Sequence, residues 1–183
     1  GNFLFDEFVL DEIQLAQGKE HGKASSLRIS VVNIKSDKVF LNSYISYIRV
    51  GTPTFRHGNG NNNFIQRGKP LGWIKGSDGR ELILGFNFIN IPRFIGHLEF
   101  GQRKIGEESI INRPYMPYED YLKGQFPSGN VLNINFCYGK VEYWLKDNIS
   151  LFFDQELKLE KINIKEYSFN LGVDLYYPIK FKI

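Results

Sequence analysis

Residues 164–177 read IKEYSFNLGVDLYY and alternate along their whole length. Lys165, Tyr167, Phe169, Leu171, Val173, Leu175 and Tyr177 share one parity; Ile164, Glu166, Ser168, Asn170, Gly172, Asp174 and Tyr176 share the other. Successive side chains of a strand point to opposite faces, so this segment predicts a strand with one apolar and one polar side. The preceding segment, 149–160, repeats the pattern. Ile149, Leu151, Phe153, Leu157 and Leu159 stand against Ser150, Asp154, Glu156, Lys158 and Glu160, with Phe152 the exception.

Outward from there the same alternation recurs. Segment 80–90 sets Leu82, Leu84, Phe86 and Phe88 opposite Glu81, Gly85 and Asn87. Segment 94–103 sets Phe94, Leu98 and Phe100 opposite His97, Glu99, Gly101 and Arg103. Segment 131–145 sets Leu132, Ile134, Phe136, Tyr138 and Trp144 opposite Asn133, Asn135 and Gly139. Three less regular segments, 3–13, 24–34 and 38–49, bring the expectation to eight strands, while helical spacing is absent over any long stretch. Several are long. Soluble strands average about 5–6 residues, whereas about 9–11 tilted residues cross a bilayer.

The connections add a second signal. Lys35-Ser36-Asp37, Ile91-Pro92-Arg93 and Lys146-Asp147-Asn148 are short, whereas 14–23, 50–79 and 104–130 are long. Only Lys161-Ile162-Asn163 breaks the alternation of short and long. Outer-membrane barrels have this habit, with short periplasmic turns and long external loops. A soluble β-sandwich or lipocalin-like barrel also has alternating strands. The large apolar residues of one face, the mid-strand Asn, Gly, Glu and Arg of the other, and aromatics near strand ends (Tyr44 and Tyr47, Tyr143 and Trp144, Tyr176 and Tyr177) favour an apolar face turned to lipid. The expected fold is therefore all-β, an antiparallel transmembrane β-barrel of about eight strands in a single domain over 1–183, located in the bacterial outer membrane. Its chain opens GNFLF without Met, so a removed leader or a longer parent is expected.

Composition narrows the function classes. Aromatics make up 15% of the 183 residues, Cys137 is the only cysteine, and the net charge is +3. A lone cysteine excludes an internal disulfide framework and a cysteine-based zinc site. The charge is too mild to imply nucleic acid. His21, His57 and His97 lack metal-ligand spacing, and no nucleophile elbow, P-loop or dinucleotide fingerprint occurs. The expectation is a protein that is not an enzyme and uses no cofactor.

Polar residues then divide into two groups. Asp6, Glu7, Asp11 and Glu12 on the first segment, with His97, Glu99 and Arg103, are expected to form a polar network inside the barrel, the acids meeting Arg28, Arg49 or Arg103. The other group lies in FRHGNGNNNFIQRGKPLGWIKGSDGRELILGF, residues 55–86. Residues 50–80 hold five bases and a single acid, Asp78, a local charge of +4. Arg56, His57, Phe64, Arg67, Lys69, Trp73 and Lys75 are the candidate ligand-binding residues. Aromatic faces stack on sugar rings, amides bond hydroxyls, and guanidinium forks grip carboxylates. The same loop folded inward would instead plug the barrel. The second long loop carries Tyr115, Tyr118 and Tyr121 among prolines, suited to lining a groove or packing on the rim.

Phe55-Arg56-His57, the spacer to Gly68, Gly68-Lys69-Pro70-Leu71-Gly72, Gly76-Ser77-Asp78 and the strand from Glu81 to Phe88 together resemble the signature region of the Wzi family of capsule-assembly outer-membrane proteins. The opening FDEFVLDEIQL is similar to the acidic strand that precedes that region. Members are larger barrels, so the resemblance implies that this chain is the C-terminal part of one. It also implies a non-enzymatic role in binding or organising surface polysaccharide, with outer-membrane lipid and other envelope proteins as neighbours. A diffusion channel or a structural subunit of an envelope complex is the alternative.

Overall fold

The computed structural model describes residues 1–55, 64–111, 124–160 and 163–176. Strands β1 (Asn2–Glu7), β2 (Gly22–Lys35), β3 (Val39–Val50), β6 (Gly79–Asn90), β7 (Phe94–Ile105), β8 (Leu132–Lys146), β9 (Ile149–Glu160) and β10 (Asn163–Leu175) form one eight-stranded sheet in that order. A two-stranded hairpin, β4 (Ile65–Gln66) with β5 (Lys69–Pro70), and a short helix, α1 (Glu12–Ala16), sit in the connections. Each strand of the large sheet neighbours the next in sequence, a meander. No ladder joins β1 to β10 among the described residues.

The chain forms two compact units. The first comprises Gly1–Arg28, Ser46–Leu82 and Gln102–Ile134 and holds all three long connections. The second comprises Ile29–Ile45, Ile83–Gly101 and Asn135–Ile183 and holds the short turns. Pairing in the second unit persists to the turns: Ile91 N donates to Lys38 O at 2.8 Å, Trp144 N to Arg93 O at 2.8 Å, and Tyr176 N to Asn148 O at 2.9 Å.

Register fixes the faces of the second unit. Val141 pairs with Phe153 and Tyr143 with Leu151; across β10, Leu157 meets Tyr167, Gln155 meets Phe169, Phe153 meets Leu171 and Leu151 meets Val173. Cross-strand partners lie on the same face, so these residues form one surface, apolar except for Gln155, and it is exposed, Leu171 by as much as 75%. The opposite face is polar. Lys158 Nζ bridges Glu156 at 3.1 Å and Glu166 at 3.0 Å, and Asn170 Nδ2 donates to Asp154 Oδ1 at 2.9 Å.

Aromatic rings on the polar face lie over glycines. A Cβ on Gly85 would fall 2.1 Å from the Tyr44 ring, one on Gly101 2.2 Å from Phe136, and one on Gly172 2.5 Å from Phe152. This accounts for Phe152, the exception to its strand's alternation. It also corrects β8. Ile134, Phe136 and Tyr138 belong to the face that carries His97 and Glu99, while Gly139, Val141, Tyr143 and Leu145 belong to the apolar face. Nor is the apolar face uniformly large, since Gly96 and Gly139 interrupt it. At the start of β10 a bulge between Ile164 and Glu166 puts Ile164 opposite Leu159 on the apolar face and frees Lys165 to reach Glu160 at 2.8 Å. Of the expected aromatic girdle, Tyr143 is on the apolar face, whereas Tyr44 is buried on the polar one and Trp144 stacks on Tyr176 at 5.2 Å. Tyr177 lies outside the described residues.

The first segment is also shorter than its alternation suggests. β1 stops at Glu7, and Asp11 caps α1, its carboxylate accepting from Ile13 N at 2.8 Å and Gln14 N at 3.4 Å. A helix start leaves several amide N–H groups unpaired, and an aspartate at the cap satisfies them.

Candidate functional site

Two long connections of the first unit meet at Asp78. Its backbone has φ +55°, left-handed and tolerated by aspartate better than by most residues. It is fully buried. The carboxylate accepts from Thr52 Oγ1 at 2.9 Å, Ser128 N at 3.0 Å and Glu108 N at 3.1 Å, and the Ser128 hydroxyl also donates to it. Its own N–H donates to Gly51 O at 3.2 Å, and its C=O accepts from Gly106 N at 2.8 Å. One residue thus ties the connections after β3 and after β7 together. Gly106 is required there, because a Cβ would stand 2.0 Å from Asp78 Oδ2. Ser77 Oγ accepts from Ile110 N at 3.0 Å, and Ser109 Oγ donates to Lys75 O at 3.0 Å.

Beneath this knot lies an apolar cluster of Val50, Phe55, Trp73 and Ile110. Phe55 takes φ +66° and is held by Asp6, whose carboxylate accepts from Phe55 N at 2.6 Å. Thr54, fully buried, accepts from Lys23 N at 2.9 Å and donates to Lys23 O at 2.8 Å, which fastens this corner to the start of β2.

From the Phe55 corner the chain projects a hairpin. Phe64 N donates to Phe55 O, and Leu71 N to Phe64 O, both at 3.0 Å. Phe64 stacks on Phe55 at 5.2 Å between centroids. The two-residue turn is Arg67 (φ +51°) and Gly68 (φ +73°), the paired positive values of a type I′ turn. Arg67 and Lys69 are exposed at this tip, and Phe64 is 45% exposed at its base.

The expected ligand-binding residues therefore separate. Phe64, Arg67 and Lys69 share the hairpin. Arg56 and His57 lie outside the described residues, as do Tyr115, Tyr118 and Tyr121. Trp73 does not offer a face for stacking. It is 8% exposed and packs against Gly79, where a Cβ would meet the indole at 2.7 Å. Lys75 is half-buried, its carbonyl engaged by Ser109.

The expected polar-network residues make several local contacts among the described residues. His97 Nε2 lies 3.2 Å from Glu99 Oε1, its Nδ1 lies 2.7 Å from Asn87 Oδ1, and Asn87 Nδ2 donates to Asn42 Oδ1 at 3.2 Å. Tyr44 donates its hydroxyl to Glu99. Arg103 pairs with Glu81, both nearly buried. Of those acids, Asp6 holds a backbone amide, Asp11 caps a helix, and Glu12 stands exposed in the first helical turn. Glu7 ends β1, and its side chain lies outside the described residues. Arg49 sits over the Phe126 ring at 4.1 Å.

Alternation could not have found Asp78, Thr52 or Ser128, since all three lie in connections. The available signal was local: Asp78 sits between Gly76 and Gly79 in GSDG, a composition of tight turns. No protein-family model, curated protein or solved structure matches the chain.

Proposed function

We propose that the chain is part of an outer-membrane β-barrel that binds and helps organise an acidic surface polysaccharide without acting as an enzyme. The observation that carries this reading is the inverted sheet of the second unit. Large apolar side chains are exposed on one face, while charged pairs and buried aromatics occupy the other. Soluble proteins seldom leave so wide an apolar surface open, and lipid is the solvent that suits it. Strands of 12 to 15 residues in β3 and β6 to β10 are long enough to cross a bilayer when tilted.

The hairpin supports the ligand class. Arg67 and Lys69 stand at a tight turn whose base is hydrogen-bonded to the Phe55 corner, itself held by Asp6, so two cations are presented on an anchored mount. Guanidinium forks suit the carboxylates of acidic sugars, and the exposed Phe64 offers a ring face at the base. The test is retention of surface polysaccharide by cells producing Arg67→Ala/Lys69→Ala. Reduced retention with normal membrane assembly supports the reading; unchanged retention removes the hairpin from it.

A diffusion channel is the second reading, favoured by the His97–Glu99 and Arg103–Glu81 pairs, which would suit the wall of a wet pore. Single-channel recording separates the two: steady conductance supports a channel, and a closed record supports a binding barrel.

A further inference from the structure

The apolar face of the second unit loses side-chain volume where two glycines meet. Gly96 on β7 and Gly139 on β8 both belong to that face, and side-chain volume is missing over both. A Cβ built on Gly139 would meet nothing closer than Leu98 Cδ1 at 3.7 Å, and one on Gly96 would meet the edge of the Phe94 ring at 3.0 Å. The result is a groove of about 360 Å³, walled mostly by Phe86, Phe88, Val141 and Phe153, with Lys140 and Gln155 also lining it. At Phe88 it adjoins a second hollow of about 460 Å³ at the β6–β7 turn, lined by Phe94, Tyr143 and Arg93. Phe88 and Phe94 meet edge to face at 5.5 Å between centroids, forming the wall where the hollows adjoin.

This surface is graded. The glycine groove is mostly apolar, with the Gln155 amide beside Gly139; the turn end is lined by Asn90, Arg93 and Tyr143. Arg93 is exposed and has no ion-pair partner among the described residues, and its carbonyl is held by Trp144 N at 2.8 Å, which fixes the backbone that carries it. An apolar slot that ends in an arginine and a tyrosine complements a molecule with a hydrocarbon tail and an anionic head. Arginine binds phosphate through two parallel N–H groups, and tyrosine favours the level of lipid headgroups.

We propose that this groove is a phospholipid site. One acyl chain lies along Gly96 and Gly139, and the lipid phosphate is held by Arg93 with Tyr143 beside it. The inference rests on the membrane reading above, and the experiment separates the two. The protein is extracted from cell envelopes in mild detergent and examined by native mass spectrometry, with added phosphatidylglycerol as the probe. Arg93→Gln removes the phosphate contact. Gly139→Val fills the groove at a position with room for a side chain. Lys146→Gln, another exposed turn-end cation, is the charge control.

The parent protein and the Lys146 variant are expected to carry a bound lipid, and each of the other two to lose affinity for the probe by about tenfold, the loss of roughly one charge-assisted contact or of a buried chain segment. Inorganic phosphate is expected not to compete, because the tail supplies much of the affinity. Equal lipid occupancy in all four proteins, each recovered from the envelope, overturns the site while leaving the membrane reading intact. Recovery of the parent protein from the soluble fraction overturns both.

Discussion

Asp78 shows how much one buried carboxylate can organise. Hydrogen bonds to a charged group contribute about 1.5–3 kcal/mol each, and leaving buried donors unpaired costs a comparable amount. Asp78→Ala strands the donors of Thr52, Glu108 and Ser128 together. The expected loss is about 3 kcal/mol or more, measured as a shift of the urea unfolding midpoint followed through Trp73 fluorescence in a Trp144→Phe background. Asp78→Asn keeps one acceptor oxygen and is expected to cost less. Equal stability of Asp78→Ala and the parent would remove Asp78 from the centre of the loop structure.

Gly101 is the second residue-scale case. A Cβ there meets the buried Phe136 ring at 2.2 Å, so Gly101→Ala overpacks the polar face. Overpacking of this kind costs about 1–3 kcal/mol. Because the clash is with one ring, Gly101→Ala combined with Phe136→Leu is expected to be less destabilised than the two single changes added together. Additive losses in that cycle would show that the ring is not what Gly101 accommodates. The sequence displays Gly101 as a member of an alternating strand, but cannot display its partner, because Phe136 arrives from a strand more than thirty residues away.

At the scale of elements, periodicity was a good guide to strands and a poor guide to their ends. The seven later segments appear within a few residues of their expected limits. The first fails because Asp11-Glu12-Ile13-Gln14 is a helix start, with a capping aspartate and a glutamine three residues on, laid over a run that also alternates. In β8 the parity was right and the orientation wrong. Alternation divides a strand into two faces without saying which is shared with a neighbour, and only the pairing of Tyr143 with Leu151 and Val141 with Phe153 decides it. The β4–β5 hairpin was hidden for a different reason. Its turn is Arg-Gly, whereas Asn-Gly or Asp-Gly is the usual signal for two positive φ values.

That departure gives the hairpin its own prediction. Arg67→Asn relieves the backbone at φ +51° while removing a cation from the tip. The variant is expected to be slightly more stable, by about 0.5–1 kcal/mol, the order of such backbone relief. It is also expected to bind an acidic polysaccharide more weakly in a pull-down at low salt. A variant that binds as well as the parent would mean that the strained arginine is not kept for its charge.

For the whole molecule, the alternation of short and long connections reappears as the division into two units, one with the knotted loops and one with the turns. The sheet is open between β1 and β10 among the described residues, so closure into a barrel belongs to the proposal and not to the observed fold. The central claim is that the apolar face of the second unit meets lipid. The most direct measurement places nitroxide labels on single cysteines, in a Cys137→Ser background, at Leu151, Phe153, Phe169 and Leu171 on one face and at Asp154, Asn170 and Asp174 on the other. Collision rates with oxygen and with a water-soluble nickel chelate are then read in isolated cell envelopes. The account predicts high oxygen and low nickel access at the first four sites, and the reverse at the last three. High nickel access on both faces, or an inverted pattern, would contradict it.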